Sequence, residues 1–465
     1  MNLLLNVDSY KASHYLQYPA GTTRVSSYVE SRGGDFEEHL FFGLQAFLKQ
    51  YLTTPFTKAD LEEATELFAA HGLPFHREGF QHILAKHGGF LPLAIEGLPE
   101  GTVLPTHNAL LQVINTDPAA FWLTSYLETS LLRAIWYPTT VATISYHARK
   151  LIGRYLEETA DSQDGLPFKL HDFGSRGVSS EESAALGGLA HLVSFKGSDT
   201  VSALVAARRF YSEPMAGFSI PAAEHSTITS WGRDQESAAY KNMLTQFGGP
   251  GKLLAVVSDS YDLWNAIENI WGGELKADVE KMGGTLVVRP DSGDPTEVVC
   301  TALEKLMGKF GFAENRKGYR VLPPHVRVIQ GDGVNLVSIE KILVAMKAKK
   351  LSADNVAFGM GGALLQQLNR DTLKFAMKCS AAEVSGAFRD VYKDPITDPG
   401  KQSKRGRLAV VREAGAYRTL RASELGNGKN ILREVFRDGR LLIDDTFADV
   451  RARATASLLP VSDPK

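Results

Sequence analysis

Cysteine is almost absent: 465 residues hold only Cys300 and Cys379. That scarcity excludes a disulfide scaffold and makes a reducing cytoplasm the expected compartment. Charge of one sign is missing too, since 51 basic residues meet 53 acidic ones for a formal net charge of -2. No overall field would hold nucleic acid or an anionic membrane, so any polyanion must be bound by a local cluster. Long apolar runs are lacking as well, and no window approaches the roughly 20 residues that a membrane span needs. The first residues run apolar for only a few positions before Asp8 and Lys11, so no signal peptide is expected. Neither a solenoid-length repeat nor a low-complexity tract is found. What is there, 44% hydrophobic and 22% charged residues, suits a globular chain with a large interior, and the length predicts two domains.

From about residue 168 to 380 the chain repeats one theme, in which a short apolar or β-branched run gives way to a polar or glycine-rich turn and then to helical periodicity. The runs are Phe168 to His171, His191 to Phe195, Leu253 to Val257, Thr285 to Val288, Val326 to Ile329 and Asn355 to Phe358. Helical stretches include Val201 to Tyr211, Tyr261 to Trp271, Glu297 to Phe310 and Ser338 to Lys349. Such alternation predicts parallel strands buried on both faces. The chemically distinctive residues follow the runs at seven turns: HDFGSRG, FKGSD, PAAEHS, SDSYD, RPDSGDP, QGDG and FGMGG. A barrel gathers its site from many strand ends, whereas a doubly wound sheet concentrates it at one or two switch points, so a β/α barrel over 166–380 is expected. Residues 1–165 and 381–465 predict a mixed α+β domain. It includes a helix from Lys58 to Ala70 capped by Thr57, strand-like runs between Leu91 and Val103, and strands near Leu408 to Val411 and Leu441 to Ile443.

Taken one at a time, the motifs are modest. RPDSGDP can offer backbone N–H groups and a hydroxyl to a phosphate and a carboxylate to ribose or a metal's water, yet Asp/Gly turns are common. FGMGGALL lacks the last glycine of a dinucleotide fingerprint, and GGPGKL lacks the register of a phosphate loop. His225 at a strand end fits a general base, a metal ligand or a phosphoryl acceptor as well as a structural histidine. No H-x-x-x-H or C-x-x-C spacing occurs, and no structural metal is expected. The run Lys401, Lys404, Arg405, Arg407 suits phosphate, but it is short and has no interleaved aromatics, which argues against nucleic acid. LLIDDTFAD (441–449) resembles the acidic motif of type I phosphoribosyltransferases without the Thr-Gly-Gly that should follow.

Taken together, eight segments in register resemble the nicotinamide phosphoribosyltransferase family over nearly the whole chain: DSYKASHYLQYP, LHDFGSRGVSS, FKGSDT, PAAEHSTITSWG, VVSDSYD, RPDSG, VIQGDGV, and KDP with SKRGRL. The resemblance implies an α/β fold, an irregular β/α barrel of the type II phosphoribosyltransferase kind with a second mixed domain. It also implies a homodimer with shared active sites, and transfer of the phosphoribosyl group of phosphoribosyl pyrophosphate to nicotinamide. By position, Phe173 and the partner subunit's Tyr10 would sandwich nicotinamide, and Asp199 would accept its amide N–H while repelling nicotinate. Arg289, Asp291 and Arg176 would hold the amide and ribose; Gly331, Asp332, Gly361, Gly362 and Arg370 the ribose and 5′-phosphate. Arg32, Lys378, Lys393, Lys401 and Arg407 would bind pyrophosphate and the phosphates of ATP. His225 would be phosphorylated from ATP, flanked by Glu224 and Asp259, with Mg²⁺ as cofactor. Ser175, Met360 and Ala255 depart from the animal members. Nicotinate phosphoribosyltransferase, and a non-catalytic binding protein on the same fold, are the alternatives.

Overall fold

The computed structural model describes residues 2–397, 402–413 and 415–458. The chain divides into two compact units, one of Met1–Thr143, Ala207–Glu213 and Asn369–Lys465, the other of Ile144–Ala206 and Pro214–Leu368. The first break lies inside the 37-residue helix Leu123–Thr159, not near residue 165, and the second lies at 368/369. A further excursion, Ala207–Glu213, is the end of the helix Val201–Tyr211 and the residues after it.

In the first unit the strands are β1 (Thr22–Ser31), β2 (Glu38–Leu40), β3 (Leu93–Gly97), β4 (Val103–Pro105), β5 (Ala109–Asn115), β14 (Phe375–Val384), β15 (Ala387–Asp390), β16 (Leu408–Glu413), β17 (Ala416–Arg421), β18 (Arg433–Arg437) and β19 (Arg440–Leu441). Seven form an antiparallel sheet in the order β15-β14-β1-β5-β3-β18-β19. Tyr28, Phe47, Phe80, Trp122, Phe375 and Phe436 are packed in its core. Thr57 caps the helix Lys58–His71 as expected, its hydroxyl accepting from the Asp60 N–H while the Asp60 carboxylate accepts from the Thr57 N–H. The acids of LLIDDTFAD are ties within this unit: Asp444 pairs with Lys49 at 2.6 Å, and Asp445 with Arg433 and Arg453 at 2.7 Å each. That use, rather than ribose binding, accounts for the paired acids.

The second unit contains β6 (Leu170–Asp172), β7 (Gly197–Ser198), β8 (Leu253–Val257), β9 (Thr285–Arg289), the small hairpin β10 (Ala313–Glu314) and β11 (Arg320–Val321), β12 (Val326–Gln330) and β13 (Val356–Met360). Six are parallel neighbours in the order β7-β6-β13-β12-β9-β8. Residues 217–223 join the two edges, with Phe218 bridged to Gly197 and Ala222 to Ala255. Thus the sheet closes into an irregular β/α barrel. Alternation along the strands sends Ala255, Val287, Ile329 and Ala357 to a small cluster with Ile220 and Phe173 inside the ring. Leu254, Val256, Leu286, Val288, Val328 and Phe358 are fully buried on the other face. The expected strand His191 to Phe195 is instead the end of the helix Glu181–His191 and a turn, with β7 starting at Gly197. Its apolar residues are buried against neighbours in either case, which short apolar runs do not distinguish. Both cysteines are free. Among the described residues no helix is long and apolar enough to cross a membrane.

Candidate active site

All seven turns singled out in the sequence follow barrel strands or the closing segment. Phe173 leaves β6 with its N–H donating to the carbonyl of Met360 at 3.0 Å, so its ring is carried across the ends of β12 and β13. Glycine makes that position possible: a Cβ on Gly359 would lie 2.0 Å from the ring, and one on Gly331 3.3 Å from it. The ring is half-buried, resting on the interior cluster. Gly361 and Gly362 follow, and a Cβ on Gly361 would meet the Phe173 carbonyl at 3.6 Å. Of the departures from the animal members, Met360 uses its backbone here, Ala255 belongs to the interior cluster, and Ser175 lies beside an open cleft of about 510 Å³. Val178, Ser179, Glu181, Asp199 and Ser202 line the same cleft.

Asp199 is exposed, accepts from the Ser219 hydroxyl at 2.5 Å and donates its N–H to the carbonyl of Asp172 at 3.0 Å. Asp172 itself is fully buried, one carboxylate oxygen accepting from the Gly174 N–H at 2.8 Å and the other from the Ser198 hydroxyl at 3.3 Å. Burial, with the nearby Asp199 charge, raises its carboxyl above the ordinary range despite the hydrogen bonds from Gly174 and Ser198. One side chain therefore ties the turn carrying Phe173 to the turn carrying Asp199. Asp172→Ala removes an acceptor that two buried donors use; the expected loss is about 1–3 kcal/mol, seen in thermal melting as a fall of several degrees. An unchanged midpoint would mean that the turns are held elsewhere. The neighbouring His171 ring packs on Gly197, and burial lowers its pKa although Asp199 opposes the shift.

His225 opens the short helix His225–Thr229. Its Nδ1 shares a hydrogen bond with the Ser260 hydroxyl at 3.0 Å, and its Nε2 lies 3.4 Å from Asp291 and 3.8 Å from Asp259. Asp259 is the organiser. Its Oδ2 accepts from the Asp291 N–H at 3.1 Å and the Ser292 hydroxyl at 2.6 Å, while its buried Oδ1 has no hydrogen-bond partner. Arg289 lies 3.7 Å from Asp291, its buried Nε likewise unpartnered. Below, the Trp271 indole N–H donates to Ser258 at 3.1 Å and its ring stacks on Tyr240. Glu224, expected beside the imidazole, caps the helix instead, accepting from the Ser226 hydroxyl and pairing with Thr227. Asp332 and Arg176 are exposed on their turns, and Gly331 stands where Phe173 and Asp291 meet.

The remaining candidates belong to the first unit. Lys378 on β14 has its pKa lowered by burial and, against the pull of Glu128, by Arg32, Lys393 and Arg370, which marks these four cations as neighbours. Arg370 also pairs with Asp371 at 3.1 Å, and the Arg407 guanidinium donates to both oxygens of Glu96 at 3.3 Å. Lys401 lies outside the described residues. Tyr10 is 57% exposed on the short 3₁₀ helix Ser9–Leu16, which Lys11 anchors through a 2.7 Å ion pair with Glu128. Sequence reasoning left Ser219, Ser260 and Asp172 out of the site; Ser260 and Asp172 stand in turns already singled out, whereas Ser219 lies just ahead of one, and a lone hydroxyl carries no spacing signal.

Two family models match the chain: the nicotinate phosphoribosyltransferase family over residues 168–440, and the nicotinamide phosphoribosyltransferase N-terminal domain over residues 2–95. A nicotinamide phosphoribosyltransferase of Xanthomonas campestris pv. campestris is 56% identical over 98% of this chain and 99% of its own. One from Acinetobacter baylyi is 32% identical over 100% and 99%. Among solved structures, nicotinate-nucleotide pyrophosphorylase from Pyrococcus furiosus superposes with a TM-score of 0.64 at 15% identity, covering 98% of this chain and 95% of that one. Human nicotinic acid phosphoribosyltransferase gives 0.57 at 17% identity, covering 97% and 93%. At those identities the two structures speak for the fold alone.

Proposed function

Since the chain belongs to the nicotinamide phosphoribosyltransferase family, we propose that it transfers the 5-phosphoribosyl group of phosphoribosyl pyrophosphate to nicotinamide, giving nicotinamide mononucleotide and pyrophosphate in NAD salvage. The observation that carries the assignment of residues is the Phe173 ring laid over Gly359 and Gly331, on a turn that Asp172 ties to the turn of Asp199. Phe173 stacks on the pyridine ring, and Asp199, held by Ser219, accepts the carboxamide N–H. A carboxylate in that position repels nicotinate, so the nicotinate-using alternative is disfavoured.

Substitution at the ribose C1 passes through a state in which positive charge grows on the sugar as pyrophosphate leaves. Asp291 and Arg289 orient the ribose and the amide, with Arg176 beside them. Gly331, Asp332, Gly361 and Gly362 admit the ribose phosphate close to the backbone. Arg32, Arg370, Lys378 and Lys393 are assigned to the phosphates of the substrate and of ATP, with Lys401 and, once released from Glu96, Arg407. The carboxylates of Asp259 and Asp291 fit Mg²⁺, a cation that takes oxygen ligands, and the unpartnered Asp259 oxygen is the free acceptor such an ion would use. When bound with the substrate, Mg²⁺ supplies neutralisation of the leaving pyrophosphate.

His225 is assigned as the group phosphorylated from ATP: Ser260 fixes its Nδ1, leaving Nε2 toward the carboxylates. Tyr10, exposed on an anchored turn, is assigned to the site of a second copy in a cytoplasmic homodimer. A competition assay tests the central reading: protein with Mg²⁺, ATP, phosphoribosyl pyrophosphate and equal nicotinamide and nicotinate yields nicotinamide mononucleotide alone. Nicotinic acid mononucleotide as the main product would overturn the role of Asp199. In the same assay His225→Ala should retain a basal rate and lose the increment that ATP adds; stimulation that survives the substitution would remove His225 from that role.

A further inference from the structure

We propose that His82, His87 and Asp117, in the first unit and apart from every residue assigned above, form a binding site for one divalent transition-metal ion of the zinc type. His82 and His87 come from the last two turns of the helix Arg77–His87, and Asp117 from the turn ahead of Pro118–Ala120. Their Nε2 atoms lie 2.9 and 2.7 Å from the same oxygen, Asp117 Oδ2, and the three ligand atoms lie within 4.8 Å of one another.

Three features set this cluster apart from an ordinary surface ion pair. The carboxylate is nearly buried, 4% exposed, and is held rigidly: Oδ1 accepts from the Ala119 N–H at 3.0 Å, and the Asp117 carbonyl accepts from the Asn115 amide at 2.8 Å. A metal-binding carboxylate whose second oxygen is hydrogen-bonded has this arrangement. Second, Oδ2 receives three donors, because the Lys86 ammonium also reaches it at 3.0 Å, and a carboxylate oxygen offers about two lone-pair sites. One nitrogen is surplus while all three point at the oxygen. Third, ligands about 2.0–2.1 Å from zinc stand roughly 3.3 Å apart at tetrahedral corners. The two nitrogen-to-oxygen spacings are a few tenths of an ångström shorter, so a small shift of two partly exposed imidazoles makes room. Two imidazoles with one carboxylate favour zinc, nickel or copper over magnesium or calcium. Water completes the shell, and the exposed Lys86, on a flexible stem, is the cation that the ion displaces.

The sequence concealed the site because two histidines five apart recur by chance, as His71 and His76 also show, and the third ligand follows 30 residues after His87. The test is a titration of chelator-stripped full-length protein with Zn²⁺ against a chromophoric competitor. One equivalent per chain is expected at micromolar affinity or tighter. The double variant His82→Ala/His87→Ala should lose that equivalent, and Lys86→Ala, a change at an exposed side chain, should bind about threefold more tightly because a competing cation is gone. The proposal is overturned if the Zn²⁺ stoichiometry is the same in the double variant, or if Lys86→Ala weakens binding. Should the double variant fail to fold, the Lys86→Ala titration alone decides between the outcomes.

Discussion

Gly359→Ala should lower kcat/KM for nicotinamide by about a hundredfold or more while leaving the protein folded. The added methyl would stand 2.0 Å from a Phe173 ring carbon, where no ring atom can remain, so the ring must move by more than an ångström. Misplacing a positioning group by that distance costs on the order of 10²-fold. The ring also covers the interior cluster of Ala255, Val287 and Ile329, so its displacement exposes apolar surface and a modest drop in melting temperature accompanies the kinetic loss. Gly308→Ala is the comparison: its Cβ would meet nothing within 4 Å, and in a helix interior alanine is favoured over glycine. Steady-state rates for both variants at varied nicotinamide decide the matter. A Gly359→Ala enzyme with unchanged nicotinamide kcat/KM would mean that the pyridine does not lie against Phe173.

Asp199→Asn should shift the preference that we assign to the wild-type carboxylate. A hydrogen bond to a charged acceptor is worth about 1.5–3 kcal/mol, so nicotinamide kcat/KM falls by about 10- to 100-fold. The new amide can donate to a carboxylate, and the repulsion that excluded nicotinate disappears, so nicotinate turnover rises from its background. Ser219→Ala, which removes the hydroxyl donating to Asp199 at 2.5 Å, should shift both substrates in the same direction by a smaller factor. The ratio of the two mononucleotides formed from an equal mixture is the readout. A ratio unmoved in Asp199→Asn would place amide recognition on another group.

The barrel was legible because its strands are short, β-branched and separated by turns whose composition differs from the strands. Five of the six expected runs overlap β6, β8, β9, β12 and β13, since strands buried on both faces have few polar positions to obscure them. The exception, His191 to Phe195, shows the limit of that signal: Leu192, Val193 and Phe195 are buried without forming a strand. The first unit was less legible for the opposite reason. Central strand β1 reads TTRVSSYVES, yet Ser26, Ser27, Glu30 and Ser31 are nearly as buried as Val25 and Tyr28; no hydrophobic pattern announces a strand in which polar residues such as Glu30 and Ser31 find distant partners in Lys404 and the Leu373 carbonyl. The 37-residue helix Leu123–Thr159 was hidden by Pro138 and by a run of threonines. At the site, motif residues were found where backbone turns require special composition. The orientation of Glu224 was not, because whether a carboxylate serves the imidazole or its own helix terminus depends on one rotamer.

The segment that closes the barrel also has an evolutionary consequence. Between Gly217 and His225 lie the bridge to β7, the hydroxyl that holds Asp199, the bridge to β8 and the candidate phosphoacceptor. Only three residues separate the two bridges, so the stretch has little slack in which to absorb an inserted or deleted residue. The residues we assign to substrate choice and to activation by ATP thereby share one nine-residue tether, and on that assignment a length change there is pleiotropic: either property can be retuned by exchanging side chains, but not by remodelling this loop without disturbing the other.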